Sequence, residues 1–198
     1  CACALKESGL RLSAALCGAD TGSLIWTNTG TGALLTAVEG AVYHTRKGDI
    51  VTSPLEHPAL ESVLRRVAQR EGRALHFCKA GRDGQLDLDS LEAVLNENTA
   101  LLAVHHVQSE TGTLQDLKAI RGILDRKAPN AVFLADTIQS IGKIRVPWTE
   151  ARLDIMTLSG QKIGCPSGGA LVYRPVLDKS MKRIRTLEHR IGRCVPAA

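Results

Sequence analysis

The chain has 198 residues, of which 44% are hydrophobic and only 3% aromatic, and its formal net charge is +5. This length and hydrophobic content suit one globular domain with an aliphatic core. So few aromatic residues leave little for the base-stacking surfaces of single-strand nucleic-acid binders, and no apolar run is long enough to span a membrane. The chain begins at Cys1 and not at Met, so we expect an N-terminal piece to be absent.

Short apolar or β-branched segments alternate with longer helical patterns along the chain. Strands are predicted at 24–27, 49–53, 74–78, 101–107, 131–135, 153–159 and 169–174. Helices are predicted near 4–17, 31–46, 58–71, 88–97, 115–127 and 177–193. This alternation predicts an α/β domain with a mostly parallel sheet flanked by helices, in which ligands bind at the carboxyl ends of the strands.

Two further features bear on partners. The last predicted helix carries many basic residues, and we interpret them as the solvated face of a packed helix and expect no nucleic-acid partner. The cysteines show no C-x-x-C pair and no regular spacing, which argues against a zinc site or a disulfide scaffold and favours a reducing compartment. They are Cys1, Cys3, Cys17, Cys78, Cys165 and Cys194.

A possible phosphate site follows the first predicted strand. In TNTGTGALL, Thr29, Gly30, Thr31 and Gly32 open a helix, and free backbone N–H groups with small glycines and hydroxyls suit a phosphate. The segment is not a dinucleotide-binding fingerprint, because Leu35 stands where the third glycine would be, and it lacks the lysine of a P-loop.

Other polar residues follow other predicted strands. Asp136 ends AVFLAD, where it is either a helix-capping residue or a buried acid that needs a partner. His57 lies in SPLEHPAL, either as a loop residue or against a planar ligand. Lys162 lies in LSGQKIGCPSGG, beside the Ser159 hydroxyl, where a surface loop lysine is the alternative. Pyridoxal phosphate needs all of these groups together: a lysine for its aldehyde, an acid facing its pyridine nitrogen, phosphate donors and a group against its ring.

From about residue 5 to residue 174 the chain resembles the large domain of the class V aminotransferase-fold proteins, which are pyridoxal-phosphate-dependent enzymes of fold type I. It is most similar to the cysteine desulfurases. The stretches that carry the resemblance are TNTGTGALLTAVEG, GDIVTSPLEHPAL, HHVQSETGTLQDL, LADTIQSIGKI and LSGQKIGCPSGGALVYR.

The resemblance implies a role for each candidate residue. Lys162 and His57 would be catalytic, with Lys162 bonded to the aldehyde and His57 stacked on the ring and moving protons. Asp136 would pair with the pyridine nitrogen and Gln139 would donate to the ring hydroxyl. The remaining cofactor-binding residues would be Gly30, Thr31, Gly32 and Ser159 around the phosphate, Gln161 where desulfurases have His, and Ser109 near the ring where they have Asn.

The resemblance also implies domain limits and partners. Residues 1–175 would form the cofactor-binding large domain without the family's N-terminal segment, and 176–198 would be a remnant of the C-terminal domain, so that the small domain is largely missing. The protein would be a homodimer, cytoplasmic or in the mitochondrial matrix of a eukaryote, passing sulfur to a scaffold protein for iron–sulfur cluster assembly.

The implied activity is release of sulfur from L-cysteine as a persulfide, with alanine as co-product. Of the six cysteines none lies in a loop that matches the persulfide-forming one, and Cys165 is the one near the proposed site. Two alternatives stay open: another class V enzyme, such as an aminotransferase or a carbon–sulfur lyase, and a truncated, non-catalytic relative that acts as a binding or assembly subunit.

His105 and His106 are neighbours in a predicted strand. Their side chains therefore point to opposite faces and do not easily share a metal ion, and we expect no metal site. We expect His106 to lie nearer the cofactor and His105 to be structural.

Overall fold

The computed structural model describes residues 2–18, 22–165 and 167–184. The helices are α1 (Ala2–Cys17), α2 (Gly30–Thr45), α3 (Pro58–Glu71), α4 (Leu88–Val94) and α5 (Leu117–Lys127). The strands are β1 (Ser23–Thr27), β2 (Asp49–Thr52), β3 (Leu75–Phe77), β4 (Thr99–His105), β5 (Val132–Asp136), β6 (Ile155–Ser159) and β7 (Gly169–Tyr173). None of the helices in the described part of the chain has the length and apolar character needed to cross a membrane.

The strands form one sheet in the order β1-β7-β6-β5-β4-β2-β3. The pairs from β6 through β5, β4 and β2 to β3 are parallel, and β7 runs antiparallel to both of its neighbours, β6 and β1. β7 is thus reversed, and the other six strands of the described sheet run in one direction. The predicted α/β fold with a mostly parallel sheet is confirmed.

Helices cover both faces of the sheet. β4, β5 and β6 are buried along their whole length, as expected for central parallel strands with apolar residues on both faces. On one face the core includes residues of α2 and α3, among them Leu34 and Leu64. On the other face it includes residues of α4 and α5, with Trp148 fully enclosed and α1 packed alongside.

Local signals set several helix ends. α3 begins with Pro58 after the capping residue His57, and it is followed by Gly72, whose left-handed backbone (φ 63°) suits glycine. α4 and α5 are capped by Asp87 and Asp116, whose carboxylates accept backbone N–H groups of the first turn.

Most predicted elements agree with the structure to within two residues at each end, and the ends of three elements have a structural explanation or limit. The fourth predicted helix was expected near 88–97 but ends at Val94, because Leu95 is extended and Asn96 turns the chain by accepting the backbone N–H of Asn98 at 2.8 Å. β4 ends at His105 and not at position 107. The last predicted helix, near 177–193, is described over 178–184, where the fully buried Met181 packs against Gly40 of α2, and its continuation at 185–198 lies outside the described residues.

Candidate active site

The carboxyl ends of β1, β2, β4, β5 and β6 lie at one edge of the sheet, because these strands share a direction. In open α/β sheets this edge is where ligands bind. The reversed strand β7 starts at the same edge, so its first residue, Gly169, lies beside the end of β6, with which it pairs at Ser159.

The turn after β1 leads directly into the N-terminus of α2. Thr29 caps the helix, its hydroxyl accepting the backbone N–H of Gly32 at 3.0 Å. A Cβ placed on Gly30 would lie 2.9 Å from the Cβ of Ser159, so the absence of a side chain lets the helix approach the end of β6. The arrangement brings helix N–H groups, which attract anions, next to the hydroxyl of Ser159.

Lys162 lies in a short 3-10 turn, Gly160–Ile163, directly after β6. The turn ends at Gly164, whose positive φ of 85° reverses the chain toward β7. The side chain of Lys162 is exposed and lines the cavity at the sheet edge. The exposed turn agrees with the surface-loop alternative, and the position of Lys162 at the cavity agrees with a role there.

Asp136 ends β5 and is 6% exposed. One carboxylate oxygen, Oδ1, accepts the backbone N–H of Ile138 at 3.0 Å and the hydroxyl of Thr157 at 3.2 Å. Burial raises the pKa of Asp136 to about 6, and the negative charge of Glu56 acts in the same direction. An acid with such a pKa at the wall of a cavity is a candidate for proton transfer or for pairing with a protonated group.

His57 lies after β2 and is the capping residue before α3. Its Nδ1 accepts the backbone N–H of Ala59 at 3.1 Å, so a neutral ring carries its proton on Nε2. The helix cap thus sets the tautomer and holds the imidazole at the wall of the cavity.

The cavity that these elements enclose has a volume of about 310 Å³, at the lower end of the usual range for small-molecule sites. Gly32 is not among its lining residues. Nine of the ten candidate residues line it: Gly30, Thr31, His57, Ser109, Asp136, Gln139, Ser159, Gln161 and Lys162.

The expectation for the two adjacent histidines is wrong. His105, expected to be structural, lines the cavity, whereas His106 is not among the lining residues. Burial lowers the pKa of His106 to about 4, with the neighbouring His105 adding to the shift. The register explains the result, because His105 is the partner of Asp136 on the adjacent strand and the two side chains share a face.

Sequence reasoning missed a second group of lining residues. The apolar members have no sequence signal that separates them from ordinary core residues. The missed residues are Leu34, Leu55, Ala59, His105, Val107 and Ile138.

The described cysteines do not line the cavity. Cys17 and Cys78 are buried, and burial raises the pKa of the Cys78 thiol to about 11, which disfavours the reactive thiolate. Cys165 is exposed, three residues after Lys162. The side chains of Cys1, Cys3 and Cys194 lie outside the described residues. Among the residues that the structure describes, no group of His, Cys, Asp or Glu side chains is arranged to hold a metal ion.

Comparison with known proteins decides the family. The family model for class V aminotransferases matches residues 11–193. The chain belongs to the class V aminotransferase family. Proteins of this family and the cysteine desulfurases are pyridoxal-phosphate-dependent. The expected resemblance is confirmed.

Several similar relatives are cysteine desulfurases. A cysteine desulfurase of Nostoc sp. is 36% identical over 163 residues, which is 81% of this chain and 40% of the relative. The desulfurase IscS of Pectobacterium atrosepticum is 37% identical over 164 residues, again 81% of this chain and 40% of the relative. The apo structure of a cysteine desulfurase from Thermococcus onnurineus superposes with a TM-score of 0.77 at 26% identity, covering 88% of this chain and 44% of that one. The chain thus spans less than half the length of these relatives.

The residues at the cavity fit pyridoxal phosphate. A Cβ at Gly30 would fill the space between the α2 N-terminus and Ser159, so the cradle depends on glycine there. The donor set beside it includes the hydroxyls of Thr31 and Ser159 and the amide of Gln161. With an acid of raised pKa and a lysine at the same cavity, the chain offers a partner to each polar end of the cofactor.

Proposed function

We propose that this chain is the cofactor-binding part of a pyridoxal-phosphate-dependent, cysteine desulfurase-like enzyme, which takes sulfur from L-cysteine as a persulfide and leaves alanine. The observation that carries the proposal is a single cavity lined by Lys162, Asp136, His57 and the α2 N-terminus. The similarity to cysteine desulfurases supports L-cysteine as the substrate.

Each residue would have a distinct task. The cofactor supplies an electron-withdrawing ring that weakens bonds to the substrate's α-carbon. Lys162 would bind the cofactor covalently through Nζ, and Asp136 would hold a proton on the pyridine nitrogen. His57 would cover the ring face and move a proton through Nε2, because its Nδ1 is occupied by the Ala59 N–H. These roles agree with the positions of the side chains around the cavity.

The remaining lining residues would orient the cofactor. Thr31 and Ser159 would donate hydroxyls to the phosphate, together with the N–H of Gly30. Gln161 would add an amide donor. Gln139, whose Oε1 accepts Lys143 Nζ at 2.7 Å, keeps its amide N–H₂ for the ring hydroxyl, and Ser109 would lie at the ring edge. Gly32 would support the cradle through its bond to Thr29.

The domain limits and the partners are part of the proposal. Residues 1–175 would form the cofactor-binding large domain and 176–198 would belong to the C-terminal part. Packing of Met181 on Gly40 supports a close association of the two. By the similarity to IscS proteins, the protein would be a cytoplasmic homodimer that delivers sulfur to a scaffold protein.

The test is covalent capture of the cofactor. The chain is mixed with pyridoxal phosphate and reduced with borohydride, and the modified peptide is identified by mass spectrometry beside Lys162→Ala and the control Lys118→Ala, which removes an exposed lysine of α5. We expect the label on the peptide that contains Lys162, loss of the visible absorption of the bound cofactor in Lys162→Ala, and no change in the control. Equal labelling of wild type and Lys162→Ala would refute the proposal.

A second measurement addresses the substrate. Wild-type protein with bound cofactor is incubated with L-cysteine or with L-alanine and a keto acid, and the amino acid products are identified. Alanine formed from L-cysteine, with sulfide released on reduction, supports the desulfurase. Transamination without release of sulfur would instead favour another class V enzyme.

A further inference from the structure

A chain of buried hydrogen bonds lies beside the cavity, apart from the roles proposed above. It joins Gln115, His105 and Glu56: Gln115 Nε2 lies 3.1 Å from His105 Nε2, and His105 Nδ1 lies 2.9 Å from Glu56 Oε1. The side chains of His105 and Glu56 are 4% and 0% exposed. Since His105 lines the cavity, these hydrogen bonds link the cavity wall to the buried carboxylate of Glu56.

The orientation of Gln115 decides which nitrogen of His105 carries the proton. The backbone N–H of Leu86 donates to Gln115 Oε1 at 3.0 Å, and Gln115 Nε2 donates to the carbonyl of Gly84 at 2.8 Å. The second N–H of the same amide is directed at His105 Nε2, which must therefore accept. His105 is a neutral imidazole with its proton on Nδ1, and this proton is donated to Glu56.

Glu56 receives its donors on one oxygen. Oε1 accepts the N–H of His105 and the hydroxyl of Ser53, and both of these donors are neutral. Oε2 is buried and has no hydrogen-bond partner within the described residues. Burial of a carboxylate in this way is costly, and a costly charge kept beside a cavity points to a function.

The charge of Glu56 acts on the end of the cavity where Asp136 lies. His105 and Asp136 are register partners on adjacent strands, and Glu56 acts in the same direction as burial in raising the pKa of Asp136. The titratable groups around Glu56 are His105 on β4, Asp136 on β5, Cys78 after β3 and the adjacent His57.

We propose that Glu56 is a positioning residue for the ring-nitrogen end of the cofactor site: held by the neutral ring of His105, it keeps a negative charge beside Asp136, and the two acids together favour a proton on the pyridine nitrogen. This inference rests on the proposed cofactor, because the proton in question is carried by its ring. It gives His105, which lines the cavity but has both ring nitrogens occupied, the task of holding Glu56 in place.

The test is a pH titration of the visible absorption of the bound cofactor in wild type, Glu56→Gln and the control Glu61→Gln. Glu61→Gln is the same chemical change five residues further along the chain, where Glu61 pairs with Arg65 on the surface of α3. A nearby negative charge stabilises the protonated form of the bound cofactor. We therefore expect the midpoint of the absorption titration to move to lower pH in Glu56→Gln, by about tenfold in proton concentration. The midpoint of Glu61→Gln stays with the wild type.

The outcomes separate the two proposals. A midpoint in Glu56→Gln equal to that of wild type overturns the role of Glu56 and leaves the cofactor site standing. Failure of the wild type to bind the cofactor overturns both. A merely structural role of Glu56 would lower the unfolding temperature without moving the midpoint, and that result also counts against the inference.

A second variant tests the link through His105 and serves if Glu56→Gln does not fold. His105→Phe keeps a ring at the cavity wall but removes the N–H that holds Glu56 Oε1, so the carboxylate is no longer fixed near Asp136 and the midpoint again moves to lower pH. The double variant moves it no further than Glu56→Gln does, because His105 acts through the carboxylate of Glu56. Additive shifts would show that the two residues act separately.

Discussion

Replacing Gly169 with alanine tests whether the start of β7 sets the position of the phosphate cradle. A Cβ at this position would lie 2.4 Å from the carbonyl oxygen of Thr29, 2.5 Å from its carbon and 2.8 Å from the backbone nitrogen of Gly30. The closest of these contacts is 0.6 Å inside the 3.0 Å that real Cβ atoms keep. All three atoms belong to the backbone, so no side-chain rotation relieves the contact and the turn that begins α2 has to move.

The displaced turn has two measurable consequences. Overpacking that shifts backbone costs about 2 kcal/mol, and in a chain of this size this lowers the unfolding temperature by about 4–8 °C. Since the same turn presents the N–H groups of the cradle, we expect the affinity for pyridoxal phosphate, followed by its visible absorption, to fall as well.

Gly122→Ala is the matched control for Gly169→Ala. Its new Cβ would meet nothing nearer than the flexible end of Arg126 at 4.0 Å, and alanine in the middle of α5 stabilises the helix by up to about 1 kcal/mol. Thermal unfolding by circular dichroism compares the two. If Gly169→Ala unfolds with the wild type and binds the cofactor equally well, the proposed close packing of β7 on the cradle is wrong.

Two further variants probe the candidate site by its effect on stability. The pKa of Asp136 is raised on folding to about 6, so its ionisation destabilises the cofactor-free protein as the pH rises from about 4 to above 6. Asp136→Asn stays neutral, so its free energy of unfolding should exceed that of wild type by about 2–3 kcal/mol at about pH 8 and equal it at about pH 4. Urea unfolding measures both values. If the difference between variant and wild type is the same at the two pH values, the buried charge is contradicted. Thr29→Ala removes the hydrogen bond to the Gly32 N–H and should lower the free energy of unfolding by about 1 kcal/mol, measured by thermal unfolding. Thr29→Ser keeps the hydroxyl and should lower it less. Equal losses of stability in the two variants would show that the cap contributes nothing.

Much of the site could be predicted because its residues follow strands that share one direction. Asp136, His57 and Lys162 each lie within four residues after a predicted strand, and parallel pairing brings such positions to one edge. Neither the reversed direction of β7 nor the sheet order followed from the alternation of elements, because these depend on pairing between segments far apart in the chain.

The network at Glu56 shows where the sequence falls short. Strand alternation separates His105 from His106 but does not say which one faces the cavity, since that choice depends on the register of β4 with β5. In the sequence Glu56 is a charged residue between Leu55 and His57, and no pattern predicts that it is buried, as the structure shows it to be. Gln115, which fixes the tautomer of His105, comes from a separate loop with no pattern to connect them.

The position of β1 at the edge of the sheet bears on the order in which the molecule assembles. In the described sheet the first strand has the last strand as its neighbour, with Ser23 opposite Tyr173. Closing so long a loop is entropically slow, and contacts of this separation form late in folding. During synthesis the β2–β6 part of the sheet is complete before β7 has been made. β1 therefore takes its place in the sheet only after β7 has been made, although it comes first in the chain.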